Sequence, residues 1–410
     1  MPYYAATGGD PVAFMIGILS VIILLIISGI VINLKIKENK IKRILWIMLL
    51  IQVLIALIDN YITAFPLMGF DARAFEGLAW LSYENGINIG RGAYSYYILN
   101  PIYKLIQIRA AIIFEVLNIL FSLLININIY EILKKLKINK KLLIFLIMLS
   151  AFSPISLIYR TGVLREAIII MFISFSLKNF IYYCKDKKNI YMVKSLIQIG
   201  LGAIFHSGVI FITLGYFFSL FGTGKDKRFY QILIILFGVV GFILFKDILL
   251  EKVGGGDIET IIKANNHKSL KMAGSGYLQS VTTNSLGEII VYLPLFIFYF
   301  LYSPTPDMFR GVIDIISFML NSSIFIYLTI YGGYKFKKIR KKLTNQEQII
   351  IKSLFISILF TIIVFSIGTR NAGTALRHRD KIVPLLMILF AIIKNREILI
   401  KEKKRYERTY

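Results

Sequence analysis

Cysteine, histidine and acidic residues are scarce in this chain. Its 410 residues include one cysteine, Cys184, and three histidines. A single cysteine excludes an internal disulfide and any cysteine-based metal cluster, and three histidines leave little material for a metal site. We therefore expect no metal and no other cofactor.

The shortage of acidic residues makes the chain strongly basic. It has 48 Lys and Arg against 23 Asp and Glu, a formal net charge of +25. In a soluble protein such an excess suggests nucleic-acid binding, but no basic and aromatic groove motif accompanies it. Most of the basic residues stand in short segments between apolar runs, where they indicate membrane orientation and contact with anionic headgroups. We expect membrane lipids as partners, and no nucleic acid.

The sequence also has neither the features of a cleavable signal peptide nor those of a phosphate-binding loop. Residues 1–10 contain no Lys or Arg and no small-residue cleavage site follows, so we expect a retained membrane helix over residues 12–34 with the N-terminus outside. The glycine-rich residues 254–257 and 274–276 lack the lysine of a phosphate-binding loop. Residues 247–285 are therefore predicted to be a polar linker without a nucleotide site.

Apolar residues, in contrast, are abundant throughout. They make up 57% of the chain, the mean hydropathy is +0.71, and apolar runs recur from end to end. This composition is typical of an all-α, polytopic integral membrane protein. We predict one multispan membrane domain over residues 1–410.

The positive-inside rule predicts that this domain crosses the membrane with about eleven helices. Basic segments at residues 35–43, 134–141, 184–189 and 334–342 are predicted to be cytoplasmic, as is the polar loop 247–285. Residues 66–105, 159–166, 303–310 and 369–381 are predicted to lie outside. The predicted spans are residues 12–34, 44–65, 106–127 and 142–158, a fifth after residue 166, then 193–221, 229–245, 286–301, 311–331 and 349–367, and a last one from about residue 382.

One predicted span is ambiguous. Residues 193–221 form either a single long, tilted helix or two short helices folded at His206 and Ser207. The folded alternative would move residues 334–342 and the C-terminal tail to the outside, against the charge rule. We therefore prefer the single helix.

The most highly charged outer segment is at residues 369–381. Arg377 and Arg379 lie there, just before an apolar helix with Pro384 in its first turn. Outer arginines beside apolar helices are more typical of an anion site than of an orientation signal. On a helix their side chains would point about 160° apart, so a shared clamp requires both to precede the helix.

Further charged residues are predicted on the same face, in residues 66–105 and 159–166. Guanidinium groups can clamp phosphates, and a carboxylate can take a proton from an attacking hydroxyl. Glu115, about two turns below Arg109, is costly at that depth unless it is paired, and an arginine is its most plausible partner. The charged residues of this group are Asp71, Arg73, Arg165 and Glu166.

Structural roles remain open for several of these residues. Asp71 could cap a loop helix that starts near Ala72. Glu166 could stabilise the N-terminus of the fifth helix. Arg165 could extend towards lipid headgroups, and His206 could form a hydrogen bond between helices.

Four stretches between residues 69 and 391 resemble a known group of membrane enzymes. They are GFDARAFEGLAWLSYENG, SPISLIYRTGVLREAIIIMFISFSL, AIFHSGVIFITL and ALRHRDKIVPLLMILFA, in this order. Together they are similar to the aspartate-bearing outer loop, the Leu-Arg-Glu stretch, the histidine-bearing helix and the C-terminal Arg-x-Arg of Wzy-like polymerases of O-antigen, capsule and exopolysaccharide. Sugar-transferring enzymes of the GT-C type share the aspartate-bearing loop.

This resemblance implies a GT-C-like fold in the bacterial cytoplasmic membrane. It also implies a reaction, the transfer of a glycan from a polyprenyl diphosphate carrier to an acceptor sugar at the outer face, with a chain-length regulator or a flippase as partner. By the same resemblance, Arg165, Arg377 and Arg379 would bind the diphosphate. Asp71 and His206 would be catalytic, with Asp71 abstracting the proton and His206 assisting. Supporting roles would fall to Arg73, Glu115 and Glu166. Asp71 is followed by Ala-Arg, so a metal-binding acidic pair is not evident.

Two other functional classes remain. A flippase or transporter of lipid-linked oligosaccharides would show internal repeats and helices broken at mid-membrane. No segment of the chain has a second copy, and only glycines near His206 indicate a break. A structural subunit of an envelope assembly would not need charged residues gathered on the outer face.

Overall fold

The computed structural model describes residues 3, 9–65, 68–86, 92–220, 275–278, 281, 283 and 286–409. These residues are helical and include no β-strand, as predicted. They form two compact units. The N-terminal unit comprises Met1–Tyr182 and Ile190–His206, and the C-terminal unit comprises Tyr183–Asn189 and Ser207–Tyr410.

Six described helices are long and apolar enough to cross a membrane, which indicates a membrane protein. Large apolar side chains on them lack protein cover, such as Met15 at 69% and Leu34 at 77% exposure. Such a surface fits contact with lipid. The total of about eleven spans stays a prediction, and the span 229–245 lies outside the described residues. The six helices are Pro11–Lys35, Asn39–Ile62, Ile112–Lys135, Glu166–Asp186, Asp314–Lys342 and Asn345–Ile367.

The N-terminal unit is built around a buried helix, α5, which packs against α1, α2 and α6. The lipid-facing α1 is mostly exposed and α5 is mostly buried. The helices are α1 (Pro11–Lys35), α2 (Asn39–Leu57, continued by a π-helical turn, Ile58–Ile62), α3 (Gly69–Glu84), α4 (Asn100–Ile106), α5 (Ile112–Lys135), α6 (Lys140–Phe152), α7 (Pro154–Tyr159), α8 (Glu166–Asp186) and α9 (Asn189–Phe205).

The predicted bounds are close for α1 and less so for α5. The predicted outer segment 66–105 contains helices α3 and α4 rather than only loop. Gln107 has a left-handed backbone, with φ of 55°, and ends α4. This turn delays the start of α5 to Ile112, beyond the predicted residue 106.

The C-terminal unit is built around α14, which packs against α10, α11 and α16. Helices α10 and α14 approach closely because α10 has a glycine, Gly215, opposite the backbone of Ser353. Ser357 Oγ donates to Ile212 O there, at 2.6 Å. The helices are α10 (Ile212–Leu220), α11 (Leu286–Tyr302), α12 (Val312–Ser317, continued by a π-helical turn, Phe318–Ser322), α13 (Ser323–Ile339), α14 (Asn345–Ile367), α15 (Ala372–Asp380) and α16 (Val383–Thr409).

The single helix predicted over residues 193–221 is wrong. Helix α9 ends at Phe205, a 3-10 turn covers Ser207–Phe211, and α10 starts at Ile212. Arg165 Nη1 donates to the carbonyl oxygen of Phe205 at 3.1 Å. The last carbonyl groups of a helix have no partner within it, so this contact stabilises the break. The change from one compact unit to the other also falls here.

Basic segments predicted to be cytoplasmic meet at one end of α14. Gln346 at its N-terminus donates to Cys184 O at 3.5 Å, and Arg396 Nε donates to Lys342 O at 2.7 Å. The 23 residues of α14 separate this basic end from residues 369–381 by about 34 Å. The assignment of these two ends to opposite sides of a membrane stays a prediction.

One part of the predicted threading requires correction. Residues 247–285 were predicted to be cytoplasmic and residues 369–381 outside. Tyr277 N donates to Arg370 O and Ala372 N donates to Ser275 O, each at 2.9 Å, so the two segments meet. At least residues 275–278 therefore lie on the same side as residues 369–381. The sequence signals for residues 247–285 are polarity and glycine content. Neither indicates on which side of the membrane the segment lies.

Candidate functional site

Both candidate phosphate-binding arginines lie on α15. Asn371 Oδ1 accepts from Thr374 N at 3.1 Å and so caps this helix, which includes Arg377 and Arg379. Both arginines do precede the apolar helix α16, which starts at Val383, but they lie on a helix of their own, so the non-helical arrangement that a shared clamp requires is not found. As expected for positions two apart on a helix, their environments differ. Arg379 is 0% exposed, whereas Arg377 is half-buried.

Arg379 holds the end of α11. Its guanidinium donates to Leu301 O, to Ser303 O at 2.5 Å and to Ser322 Oγ at 3.4 Å. It also lies over the ring of Phe325, 5.5 Å from the centroid. The carbonyl groups at a helix C-terminus need donors from outside the helix, and a guanidinium has several in one plane. These contacts describe a structural role, and a contact of Arg379 with a diphosphate stays a prediction.

Arg377 and His378 lie on the more accessible side of α15. Arg377 Nη2 is 3.5 Å from Thr374 Oγ1, and His378 Nδ1 is 3.1 Å from Thr369 Oγ1. The His378 ring lies 5.0 Å from the ring of Phe365. Of the two predicted phosphate ligands on α15, Arg377 is the one with a partly exposed side chain.

Arg370 is a cation that the sequence analysis left without a role. Its guanidinium lies over the Phe296 ring, 3.8 Å from the centroid. Its Nη1 is buried and has no hydrogen-bond partner among the described residues. Burial lowers the pKa of Arg370, yet a guanidinium keeps its charge at any physiological pH. A buried donor on a charged group is available to an anion.

A cavity of about 260 Å³ lies beside Arg370 in the C-terminal unit. Tyr277 and Tyr299 line it with stacked rings, 5.3 Å between centroids and 16° between planes. Tyr277 Oη donates to Thr369 O at 2.9 Å, which connects the cavity to the segment before α15. Sequence reasoning missed Tyr277 because it belongs to the residues interpreted as a linker. The lining residues are Gly276, Tyr277, Leu278, Tyr299, Asp307, Met308, Phe309 and Arg310.

The N-terminal unit has a different kind of polar cluster, which we call the acidic cluster. It comprises Asp59, Asn60, Arg73, Glu76, Tyr103, Arg109 and Glu115. The three carboxylates are buried, at 0% exposure for Asp59 and Glu115 and 1% for Glu76. Arg73 pairs with Asp59 at 2.8 Å and lies 3.5 Å from the centroid of the Tyr3 ring.

Arg109 forms the second ion pair of the acidic cluster. It donates through Nε and Nη2 to the two oxygens of Glu76, each at 2.8 Å, and Tyr103 Oη donates to Glu76 at 2.6 Å. The hydrogen bonds to Glu76 raise the pKa of Arg109. Burial, followed by the charge of Glu76, raises the pKa of Tyr103. This geometry fixes α3 against the start of α5.

Glu115 is paired, but not as predicted. Asn60 Nδ2 donates to Glu115 Oε2 at 2.6 Å, and the Asp59 carboxyl group lies within hydrogen-bonding reach. Arg109, the arginine nearest in sequence, is directed to Glu76 instead. The expectation of a direct arginine partner is therefore wrong. The amide satisfies one oxygen of the carboxylate without adding a charge.

The other predicted site residues of the N-terminal unit lie at helix ends. Asp71 is in the first turn of α3 and Glu166 is in the first turn of α8. A carboxylate at this position interacts favourably with the helix dipole. Arg165 holds the end of α9 and lies 6.0 Å from the centroid of the Phe75 ring. His206 follows α9 directly and is half-buried. Their catalytic and binding roles stay predictions.

The predicted site residues thus divide between the two units. Arg377 and Arg379 belong to the C-terminal unit, and the other six belong to the N-terminal unit. Sequence reasoning gave no role to Asp59, although it and Asn60 interrupt an otherwise apolar predicted helix and so carried a signal. Among the described residues, no group of three or more His, Cys, Asp and Glu side chains could hold a metal ion.

Comparisons with protein-family models, with curated proteins and with solved structures find no match for the chain.

Proposed function

We propose that the chain is a multi-pass glycosyltransferase of the bacterial cytoplasmic membrane. It would transfer a glycan from a polyprenyl diphosphate carrier to an acceptor sugar at the outer face, as a polysaccharide polymerase does. The observation that carries this proposal is the aromatic cavity of Tyr277 and Tyr299, together with the half-buried Arg370, whose backbone carbonyl accepts from Tyr277 N.

The cavity has the chemistry of a sugar site. Aromatic rings offer apolar area to sugar faces, and polar groups at the rim can bond the hydroxyls. Tyr277, Tyr299 and Phe309 supply the rings, and the exposed Asp307 and Arg310 supply the polar groups. A volume of about 260 Å³ would take one or two sugar rings rather than a long oligosaccharide.

The cations next to the cavity would bind the leaving group. Residues 369–381 contain Arg370, Arg377, Arg379 and Lys381 against one acid, Asp380. The Arg370 Nη1 donor has no partner in the part of the chain that the structure describes, so a diphosphate oxygen can accept from it. The partly exposed Arg377 would be a second ligand, and Arg379 would hold α15 in place through α11.

The reaction needs a base and a leaving group. The acceptor hydroxyl oxygen attacks the anomeric carbon and forms the new glycosidic bond, while the bond from that carbon to the diphosphate oxygen breaks. The hydroxyl proton passes to a carboxylate, and the electron pair leaves with the carrier diphosphate, stabilised by the arginines. Asp307 is the carboxylate that lines the cavity, and Asp71 is the base that the resemblance implies.

A flippase or transporter of lipid-linked oligosaccharide is the second candidate. The helix break between α9 and α10 favours it, because transporters use helices interrupted within apolar segments. The break also coincides with the boundary between the compact units.

In-cell polysaccharide length distinguishes these functions. We would compare wild type with Arg370→Gln, Asp307→Asn and Asp71→Asn at matched membrane expression, with the exposed Arg340→Gln as control. For a polymerase we expect single repeat units to accumulate in Arg370→Gln and in one of the two aspartate variants. Unchanged chain length with loss of lipid-linked units from the outer leaflet would support the transporter. Wild-type behaviour of all three variants would contradict both.

A further inference from the structure

Two buried carboxyl groups meet in the N-terminal unit. Asp59 lies in the π-helical turn that ends α2, and Glu115 lies in the first turn of α5. Both residues are 0% exposed, and their carboxyl groups are within hydrogen-bonding reach of each other. π-Helical turns that interrupt or extend α-helices are rare and occur frequently at functional sites.

Each of the two carboxyl groups has one oxygen in use. Asp59 Oδ1 accepts from Arg73 Nη2 at 2.8 Å and from Phe65 N at 2.6 Å. Glu115 Oε2 accepts from Asn60 Nδ2 at 2.6 Å. The other oxygens, Asp59 Oδ2 and Glu115 Oε1, are buried and have no donor among the described residues. A buried acceptor without a donor is unfavourable, so a ligand that satisfies both oxygens would stabilise this pair.

The charges around the pair specify that ligand. Two ionised carboxylates in contact repel strongly in a low-dielectric interior, and among the described residues Arg73 supplies the one cation bonded to them. One additional positive charge makes the group neutral. Glu76 needs no additional positive charge, because Arg109 pairs with it. Tyr3 and Tyr94 are further titratable side chains of the described residues that interact electrostatically with Glu115.

We propose that Asp59 and Glu115 bind one proton between Asp59 Oδ2 and Glu115 Oε1, forming a buried proton-binding site. The proton lets one carboxyl group donate to the other, so both orphaned oxygens gain a partner at once. An alkali cation fits less well because it requires more oxygen ligands than these two. The site lies outside the cavity and the cationic segment of the proposed transfer reaction and does not depend on that reaction.

Infrared spectroscopy of the full chain in lipid nanodiscs tests the site directly. A protonated carboxyl group has a carbonyl stretch that is separate from that of a carboxylate and shifts in deuterium oxide. We expect wild type to show this band, and Asp59→Asn and Glu115→Gln each to lose it. The amide of either variant can donate to the remaining carboxylate, which favours folding. Glu131→Gln is the matched control, since Glu131 is on α5 and pairs with Lys178 at 3.0 Å. It should keep the band.

A second measurement needs no variant. An apolar carbodiimide reacts with protonated carboxyl groups in membranes, and peptide mass spectrometry locates the modified residue. We expect the label on Asp59 or Glu115 and not on Glu131. A wild-type chain with neither band nor label at these residues would overturn the proposal, as would a band that both substitutions leave intact. Protection from the label by sodium chloride but not by choline chloride would assign the site to an alkali cation instead.

Discussion

The two units hold their arginines in different ways. In the N-terminal unit, Arg73 and Arg109 reach buried carboxylates, Asp59 and Glu76. In the C-terminal unit, Arg379 reaches carbonyl oxygens at the end of α11, and Arg370 lies over an aromatic ring. A carboxylate neutralises the guanidinium, whereas a carbonyl oxygen satisfies its donors and cancels none of its charge. For Arg370, this difference supports the proposed anion site in the C-terminal unit.

The largest effect should follow from removing the arginine held by carbonyl groups. Arg379→Ala leaves Leu301 O buried without this donor, whereas Ser303 O keeps Ser322 Oγ as a donor at 3.0 Å. A buried acceptor without a partner costs about 1–3 kcal/mol, and the buried volume of the guanidinium is lost as well, so we expect a loss of about 3 kcal/mol. Thermal unfolding and size-exclusion chromatography of the chain in detergent measure this.

Arg377→Ala is the matched control for that change. Arg377 is on the same helix but is half-buried, so we expect a loss of no more than about 1 kcal/mol. Equal destabilisation by the two substitutions would show that Arg379 does not hold α11 in the way described. Arg379→Lys should be intermediate, since an ammonium lacks the planar fork that reaches two carbonyl oxygens.

Removal of an arginine that is paired with a carboxylate should cost less stability, and the loss should depend on whether the partner carboxylate is still present. Arg109→Ala leaves Glu76 buried with only Tyr103 as a donor, and we expect a loss of about 2–3 kcal/mol because Arg109 is partly exposed. Adding Glu76→Gln removes the buried charge and should restore part of this loss. A double-mutant cycle on unfolding temperature measures the coupling. Strictly additive effects would contradict the ion pair.

The smallest effect concerns the opposite, basic end of the C-terminal unit. Burial works against ionisation of Glu397, but hydrogen bonds from Lys335, Lys394, Tyr331 and Lys401 outweigh it and hold the pKa of this carboxyl well below its usual range. A lowered folded-state pKa stabilises the fold above the unfolded value of about 4.3, and this contribution is lost as the pH falls through the folded value.

Glu397→Gln should therefore be less stable than wild type at neutral pH by about 1 kcal/mol, with the difference shrinking in acid. Unfolding temperatures of both chains across an acidic pH series provide the measurement. A difference that stays constant from pH 7 down to the acid limit would mean that Glu397 is not bound as an anion. Lys403→Gln, in the exposed tail, should leave the pH profile unchanged.

Elements that depend on local signals were predicted well. Helix α1 spans Pro11–Lys35 against a predicted 12–34, and α16 starts at Val383 close to the predicted residue 382, with Pro384 in its first turn. A long apolar run and a helix-starting proline act within a few residues of chain. The sequence analysis prefers a single helix to a break at His206 because of the charge rule. That rule indicates on which side of the membrane a loop lies, and it carries no information on the backbone conformation between loops.

The candidate sites were predicted less completely. The sequence indicated Arg370–Lys381 as a cationic segment, but not that Arg379 would be buried against α11 while Arg370 kept a donor unbonded. Asp59 and Tyr277 received no role, because a lone acid at a helix end and a tyrosine in a polar segment are common. Their significance depends on Glu115 and Tyr299, which are distant in sequence.

By itself, the sequence determined that the chain is helical and apolar enough for a membrane, and which segments are basic. Those properties depend on sums over neighbouring residues, so the length of each apolar run and the charge of each segment suffice to predict them. Only the tertiary structure decided which charges meet: Arg109 with Glu76, Arg379 with the end of α11, Glu115 with Asn60 and Asp59. Such pairings depend on the packing of helices far apart in the chain, where each buried polar group takes the nearest partner that satisfies it.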